Sequence, residues 1–266
     1  MDLNLSRKLE FLPAFKISRL PSLIPILMLG FAIAGWEAAA RLAGLPAFIL
    51  PSPLMVAERF LRALSDGSLL YHAAVTLLQV VLGLLSGVSG ALVLGYAIAK
   101  SRLFERLVSP FLVASQAIPI VAIAPLMVIW FGPGMFSKVL ICALIVFFPV
   151  LVNTVVGLRA VPRSLYELMR SLHASRWQTL RLLEVHAAMP VFLGGLRIGA
   201  TLSVIGAVVG ELVGSDRGLG FLINVGRGQY DTALVFVAIL TLVALALGLY
   251  ALVLWFESRL LAWQRQ

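Results

Sequence analysis

Charge is scarce in this 266-residue chain: only 12% of its residues are Asp, Glu, Lys or Arg, while 61% are hydrophobic. A soluble domain carries roughly a quarter charged residues and about half apolar ones. Too few water-compatible side chains are present to cover the apolar surface, which excludes an ordinary soluble enzyme and a disordered chain. Cysteine is scarcer still. Cys142 stands alone in an apolar run, so no internal disulfide can form and a secreted disulfide scaffold is excluded. The three histidines are scattered and make no metal-ligand spacing with it, so no metal is expected. Acidic residues number 12 against 21 basic ones, a formal net charge of +9. In a soluble protein that excess would suggest nucleic acid. In so apolar a chain it is a topology signal, and no nucleic-acid partner is expected.

What is abundant is long apolar segments. A spanning helix needs about 20 mostly apolar residues. Six segments qualify: Pro21–Ala43, Ala73–Ala99, Leu107–Phe131, Val139–Val156, Leu193–Leu212 and Ala233–Phe256. The first contains Ala32-Ile33-Ala34, which looks like a signal-peptide cleavage site, but the apolar run continues past it. An uncleaved first helix is expected. Six spans place both termini on one side. With cytoplasmic termini, fifteen of the 21 basic residues fall inside and six outside, the bias that membrane insertion favours. The expected fold is an all-α integral membrane protein with six transmembrane helices and both termini cytoplasmic.

Three pieces lie outside the spans. Residues 1–20 mix Leu3, Leu5, Leu9 and Phe11 with Arg7, Lys8 and Lys16, the pattern of an amphipathic tail on the cytoplasmic membrane surface. Residues 21–266 form the transmembrane domain. After the first span, Ser52 can cap a helix with Pro53 at its first position, and Leu54, Ala57, Leu61 and Leu64 would share one face. The third piece is an inner loop at about 158–190, too long for a simple turn. Two capping boxes divide it: Ser164-Leu165-Tyr166-Glu167 and Ser175-Arg176-Trp177-Gln178. They predict short helices over about Leu165–Leu172 and about Arg176–Val185, with a break at His173-Ala174.

This loop resembles the EAA loop of ABC-importer permeases. The residues that carry the resemblance are Glu167-Leu168-Met169, then His173-Ala174-Ser175-Arg176-Trp177-Gln178, then Leu180 and Leu183. Other motifs, in order along the chain, resemble the nitrate/sulfonate/taurine branch of that family. They are Leu50-Pro51-Ser52-Pro53, Ile118-Pro119, Ala124-Pro125-Leu126, Trp130-Phe131-Gly132, Phe148-Pro149-Val150, Gly195-Leu196-Arg197-Ile198 and Gly218-Leu219-Gly220. Two positions depart from the pattern: the turn glycine is His173 here, and the proline of the first L-P is His186, with a later Met189-Pro190 retained.

The resemblance implies a division of labour. The chain would be the permease of an importer in a prokaryotic plasma (inner) membrane, with two copies forming a homodimer. Hydrolysis would belong to a separate ATP-binding cassette ATPase, and an external binding protein would deliver the solute. The solute would be a small anion such as nitrate, a sulfonate or taurine, although the branch also resembles importers of bicarbonate and of pyrimidine precursors. No cofactor and no catalytic residue are expected. A phosphate loop needs G-x-x-x-x-G-K-[ST], and before Lys100-Ser101 the two glycine positions hold Leu94 and Ala99, so the chain is not expected to bind ATP.

The coupling loop would comprise Glu167, Leu168, Met169, Leu172, His173, Ala174 and Ser175. For His173 the two-residue break predicts a left-handed backbone, which Gly adopts without strain. Candidates for a gate or path are Glu211, Gly218, Gly220, Asn153 and Gln116. Carboxylates in spans are functional candidates by default, and the segment from Asp216 to Asn224 is apolar enough to dip back as a gate-like element. The uncharged Asn153 and Gln116 can equally make interhelical hydrogen bonds. Glu37 precedes Arg41 by one helical turn and reads as a surface pair. Small residues at Gly195, Gly199, Ser203, Gly206, Gly210 and Gly214 form a stripe for close packing, within the chain or between subunits. Pro119 and Pro125 should kink or break the third span. The rival class is an ion-coupled secondary transporter, which would want an ionisable residue at mid-membrane or paired broken helices in two related halves.

Overall fold

The structure, a computed structural model, describes residues 23–42 and 44–265; the expected amphipathic tail lies outside them. Every regular element among the described residues is helical. The chain divides at Pro53 into two compact units. In the first, α1 (Leu23–Leu42) covers most of the first expected span. Its surface pair forms as expected, with Arg41 donating to the Glu37 carboxylate. Trp36 Nε1 donates to the carbonyl of Pro51 at 3.0 Å.

The second unit begins within α2 (Pro53–Ser65), whose first residue is Pro53 as expected. The buried side is Val56 and Ala63, whereas Leu54, Leu61 and Leu64 are exposed. Three long helices then build the core: α3 (Ser68–Lys100), α6 (Met135–Arg159) and α9 (Val185–Val213). α3 and α6 run parallel and α9 runs antiparallel to α6, an order read directly from their glycines. A Cβ on Gly87 would meet the Ala143 carbonyl at 2.6 Å, and one on Gly95 would meet Thr154 at 2.9 Å. From α9, Gly195 lies against Asn153, Gly199 against Val146 and Val150, and Gly210 against Lys138. The expected stripe on α9 is therefore a packing surface within the chain. Gly83, Gly87, Ala91 and Gly95 make a second such stripe on α3. Lipid tails are as apolar as leucine, so close backbone approach and dispersion hold these helices together.

The third expected span is broken. α4 (Arg102–Gln116) and α5 (Ile120–Phe131) meet at a bend of 95° across residues 117–119. Pro119 explains the break: it lacks the N–H a continuing helix would need, its ring disfavours helical geometry at the residue before it, and it is itself extended at φ −63° and ψ 117°. Pro125 sits inside α5 without breaking it. Four helices of the second unit are long and apolar enough to cross a membrane, five if the bent pair is one span. The fourth of these is α11 (Thr232–Leu260). Their outward sides are apolar: Ile129 is 73% exposed and Leu247 63%. A lipid environment removes the penalty that water would impose on such a surface.

The inner loop corrects two expectations. Its first helix, α7 (Arg163–Ser171), starts before Ser164, with Pro162 in the capping position and no side-chain cap, so the first predicted capping box does not form. Pro162 supplies the needed extended start and its carbonyl accepts from Leu165 at 3.1 Å. The second predicted helix is not a separate element. α8 (Arg176–Gln178), a π-helical segment (Thr179–Glu184) and α9 form one continuous helix, Arg176–Val213. Pro190 removes a single hydrogen bond, which the long packed helix tolerates, so the loop proper shrinks to about residues 160–175.

Candidate functional site

At one end of the bundle stands the predicted coupling loop. α7 has no buried residue; Glu167, Leu168 and Leu172 are exposed and Met169 is half-buried. Glu167 makes no ion pair among the described residues, and its carbonyl accepts from Ser171 Oγ. The helix closes with the predicted left-handed residue: His173 has φ 52°. The His173 N–H reaches the Arg170 carbonyl and the Ala174 N–H reaches the Met169 carbonyl, both at 2.9 Å, which is the Schellman pattern. Ser175 then caps α8. Its Oγ accepts from the Gln178 N–H at 3.2 Å while Gln178 Oε1 accepts from the Ser175 N–H at 2.7 Å, so this second capping box forms as expected. His186, where the pattern expects proline, places Nδ1 3.0 Å from the Arg181 carbonyl within the π-helical stretch.

Behind the loop is a charge pair that sequence reasoning did not single out. Lys100, the last residue of α3, pairs with Glu184, the last residue of the π-helical segment. Glu184 is buried, and its second oxygen has no partner. The Lys100 ammonium also lies over the rings of Tyr96 at 5.5 Å and Tyr166 at 5.3 Å. Tyr166 belongs to α7, and its phenol pKa is pushed up by burial and by the Glu184 charge. One ammonium thus braces α3, the loop helix and the root of α9. The available signal was Glu184 itself, a lone carboxylate among Leu182, Leu183 and Val185.

At the other end, three predicted residues come together. Glu211 is fully buried. Its carboxylate accepts from Thr76 Oγ1 at 2.8 Å and from the Gly220 N–H at 2.7 Å. Gly220 belongs to α10 (Leu219–Gly228), which follows α9 after a five-residue turn. Two neighbouring N–H groups at its start also find acceptors. Leu219 donates to Thr76 Oγ1 at 2.8 Å and Gly218 donates to His72 Nδ1 at 3.0 Å. Negative charge and acceptors at a helix start complement its dipole and its orphan donors. Gly218 has φ 103°, and a Cβ there would overlap the Glu211 carboxylate. At Gly220 a Cβ would stand 2.7 Å from Glu211 Cβ. Both glycines are therefore required by the contact with Glu211. Thr76 and His72, which complete this knot, were absent from the sequence candidates.

Beside the knot, Lys138 is buried with its ammonium on the Pro133 carbonyl. Gln79 is buried with Oε1 unpartnered, and a cavity of about 150 Å3 separates these groups from Asp216 and Arg217. The Arg217 guanidinium, bonded to Asp216 at 3.0 Å, holds that carboxyl below the usual range. Asn153 and Gln116 do not join this cluster. Asn153 donates to the Pro149 carbonyl at 2.8 Å and packs on Gly195 in the α6–α9 contact. Gln116 is exposed at the end of α4, beside the break.

A core of tightly packed apolar helices, with a polar knot at one end and an exposed helical loop at the other, is the build of a multi-helix membrane protein. Residues 79–262 match the family described as binding-protein-dependent transport system inner membrane component, and the chain belongs to that family. It is 48% identical to the riboflavin transport system permease protein RibX of Chloroflexus aurantiacus, over 86% of this chain and 85% of that one. It is 37% identical to the formylaminopyrimidine transport permease protein ThiX of Halalkalibacterium halodurans, over 92% and 97%. Identity to the taurine transport system permease protein TauC of Escherichia coli is 33%, over 86% and 85%. The chain is thus an ABC transporter permease component and a multi-pass protein of the inner membrane.

Proposed function

We propose that the chain is the membrane-spanning subunit of an ATP-driven importer, forming the path for a small solute handed over by an external binding protein. α1, the α4–α5 pair, α3, α6, α9 and α11 are its six spans, with both termini cytoplasmic. The observation that carries this reading is α7: a helix with no buried residue, presenting Glu167, Leu168 and Leu172 outward from a rigid Schellman turn and braced through Tyr166 on Lys100. Such a helix is built to be covered by a partner. The partner in this reading is a separate ATPase, which drives two permease copies between inward- and outward-open states. The end bearing Glu211, Gly218 and Gly220 then faces outward, with α10 lying beneath the docked binding protein as a gate element.

For the solute, the identities to RibX and ThiX support a planar nitrogen heterocycle of the riboflavin or formylaminopyrimidine kind ahead of the sulfonate and taurine class. The ligand that raises the melting temperature of the cognate binding protein decides between them.

Uptake into vesicles should require the separate ATPase and stop with vanadate. Uptake that persists in vanadate but collapses with a protonophore would make the chain an ion-coupled secondary transporter instead. Cysteines at Ser171 and Ser258 should react only from the cytoplasmic side, and those at Ser65 and Ser215 only from outside. Labelling at Ser171 in intact cells would overturn the topology.

A further inference from the structure

The inner end of the bundle carries a second feature that the transport reading leaves unused. A polar cavity of about 610 Å3 is lined by Lys100, Arg102, Arg106, Arg159, Arg163 and Tyr166. Two of its cations are already engaged: Lys100 pairs with Glu184, and Arg159 reaches both oxygens of Glu105 at 2.7 Å. Arg102, Arg106 and Arg163 are exposed and have no ion-pair partner among the described residues. Arg102 and Arg163 are also the first residues of α4 and α7, so two helix starts add their partial positive charge to the same space.

Insertion bias requires only that basic residues lie on one side of the membrane. It does not require that they converge on one cavity, nor that the cavity continue into an apolar groove. Here it does. Along α3, α4 and α6 lies a groove of about 200 Å3, walled by Ile98, Leu112, Val113, Leu151, Val152 and Val155. Glu105 borders both spaces. The 95° break at 117–119 turns α5 away from the line of α4, and Leu103, Leu107 and Phe111 are exposed on the outer side of α4.

We propose that the cavity and groove together bind one anionic phospholipid, with its phosphate held by Arg102, Arg106 and Arg163 and an acyl chain laid between α4 and α6. Arginine recognises a phosphate through several N–H donors at once. A free phosphate would use the cavity alone, and an acidic protein surface would leave the groove empty; a lipid fills both. The site rests on the reading of this end as the cytoplasmic one, where anionic headgroups concentrate.

Native mass spectrometry of the purified importer complex, offered phosphatidylglycerol and phosphatidylcholine in equal amounts, tests the site without any transport assay, so a failure of uptake leaves it standing. The wild-type complex should retain phosphatidylglycerol preferentially. Each basic residue near an anionic headgroup contributes about fivefold in affinity, so Arg102→Gln/Arg106→Gln/Arg163→Gln should weaken phosphatidylglycerol binding on the order of a hundredfold and leave phosphatidylcholine unchanged. The corresponding triple lysine variant should keep most of the preference. Val155→Trp, which fills the groove, should weaken both lipids. Inorganic phosphate at millimolar concentration should not displace phosphatidylglycerol. The proposal is overturned if the glutamine variant keeps the wild-type preference. It is overturned equally if inorganic phosphate competes as well as the lipid does, or if the glutamine variant loses its ATPase subunit while lipid binding is intact.

Discussion

α7 and α10 are short helices at opposite ends of the bundle, and both close with the same turn. In each, a non-glycine residue takes the left-handed position, His173 at φ 52° and Tyr230 at φ 56°. In each, the next N–H reaches back to a carbonyl five residues earlier: Ala174 to Met169 at 2.9 Å and Asp231 to Gly226 at 2.8 Å. A polar side chain then starts the following helix, Ser175 for α8 and Asp231 for α11. Beyond the turn the two differ. The start of α10 is bonded to His72, Thr76 and Glu211, and Leu219, Gly220, Leu222 and Gly226 are buried. Among the described residues α7 has neither anchoring bonds from other helices at its start nor any buried residue. Turn chemistry decides where the chain reverses, whereas anchoring decides whether a short helix belongs to the bundle or is displayed from it.

The largest effect of breaking this comparison is expected at the anchored end. Glu211→Leu leaves the Gly220 N–H without its acceptor in a buried site, at about 1–3 kcal/mol, and turns the Thr76 hydroxyl back on the His72 carbonyl, 3.2 Å away. The thermal midpoint of the detergent-solubilised protein should fall sharply, and Glu211→Gln, which keeps one acceptor oxygen, should recover part of it. An unshifted midpoint in Glu211→Leu would show that α10 is held by other means.

Next comes the brace behind the displayed helix. Lys100→Ala leaves the buried Glu184 carboxylate uncompensated. Fully buried pairs cost about 3–5 kcal/mol when one partner is removed. The Lys100 side chain is 38% exposed, so water offsets part of that and about 2 kcal/mol is expected. Lys100→Arg should retain most of the stability. A Lys100→Ala protein as stable as the wild type would remove the brace from the coupling argument.

At α7 itself stability should barely change. Glu167→Arg alters an exposed side chain, so the fold should survive while co-purification of the ATPase, or the coupling of hydrolysis to uptake, is lost. Normal complex yield with normal transport would separate α7 from coupling. The smallest effects belong to the shared turn. His173→Gly relieves a left-handed residue and should be neutral or stabilising by up to about 1 kcal/mol. His173→Val should destabilise the loop, because a β-branched side chain fits that conformation poorly. Hydrogen exchange over residues 168–178 would register both changes.

Features set by neighbouring residues were legible in the sequence. The Ser175–Gln178 capping box, the left-handed His173, the Glu37–Arg41 pair and the break at Pro119 each depend on a few consecutive positions. Two local readings failed because a competing local signal won. Pro162 started α7 one residue before Ser164, and helix-compatible residues across Met189-Pro190 joined the second loop helix to α9. Contacts between distant segments left no mark. Thr76 and Leu219 are 143 residues apart, Lys100 and Glu184 are 84 apart, and nothing in either neighbourhood names the other. The glycines of α9 were visible as a stripe, but only α6 on one side and the matching glycines of α3 on the other show what the stripe is for. Gly206 makes the point: a Cβ there would meet the Cys142 backbone at 2.8 Å.

The π-helical stretch Thr179–Glu184 sets the angular phase between the loop and the core. A π-bulge holds one residue more than the α-helix it interrupts, and an α-helix turns by about 100° per residue. Everything before Thr179 is therefore offset in azimuth from the glycine face of α9 by about that angle, although the helix is unbroken from Arg176 to Val213. Relaxing the stretch to ordinary α geometry would screw the loop around the helix axis without bending the rod. Deleting one residue between Thr179 and Glu184 would set that rotation permanently, pointing Glu167 and Leu168 toward a different quarter of the compass while leaving the packing of α9 on α6 as it was.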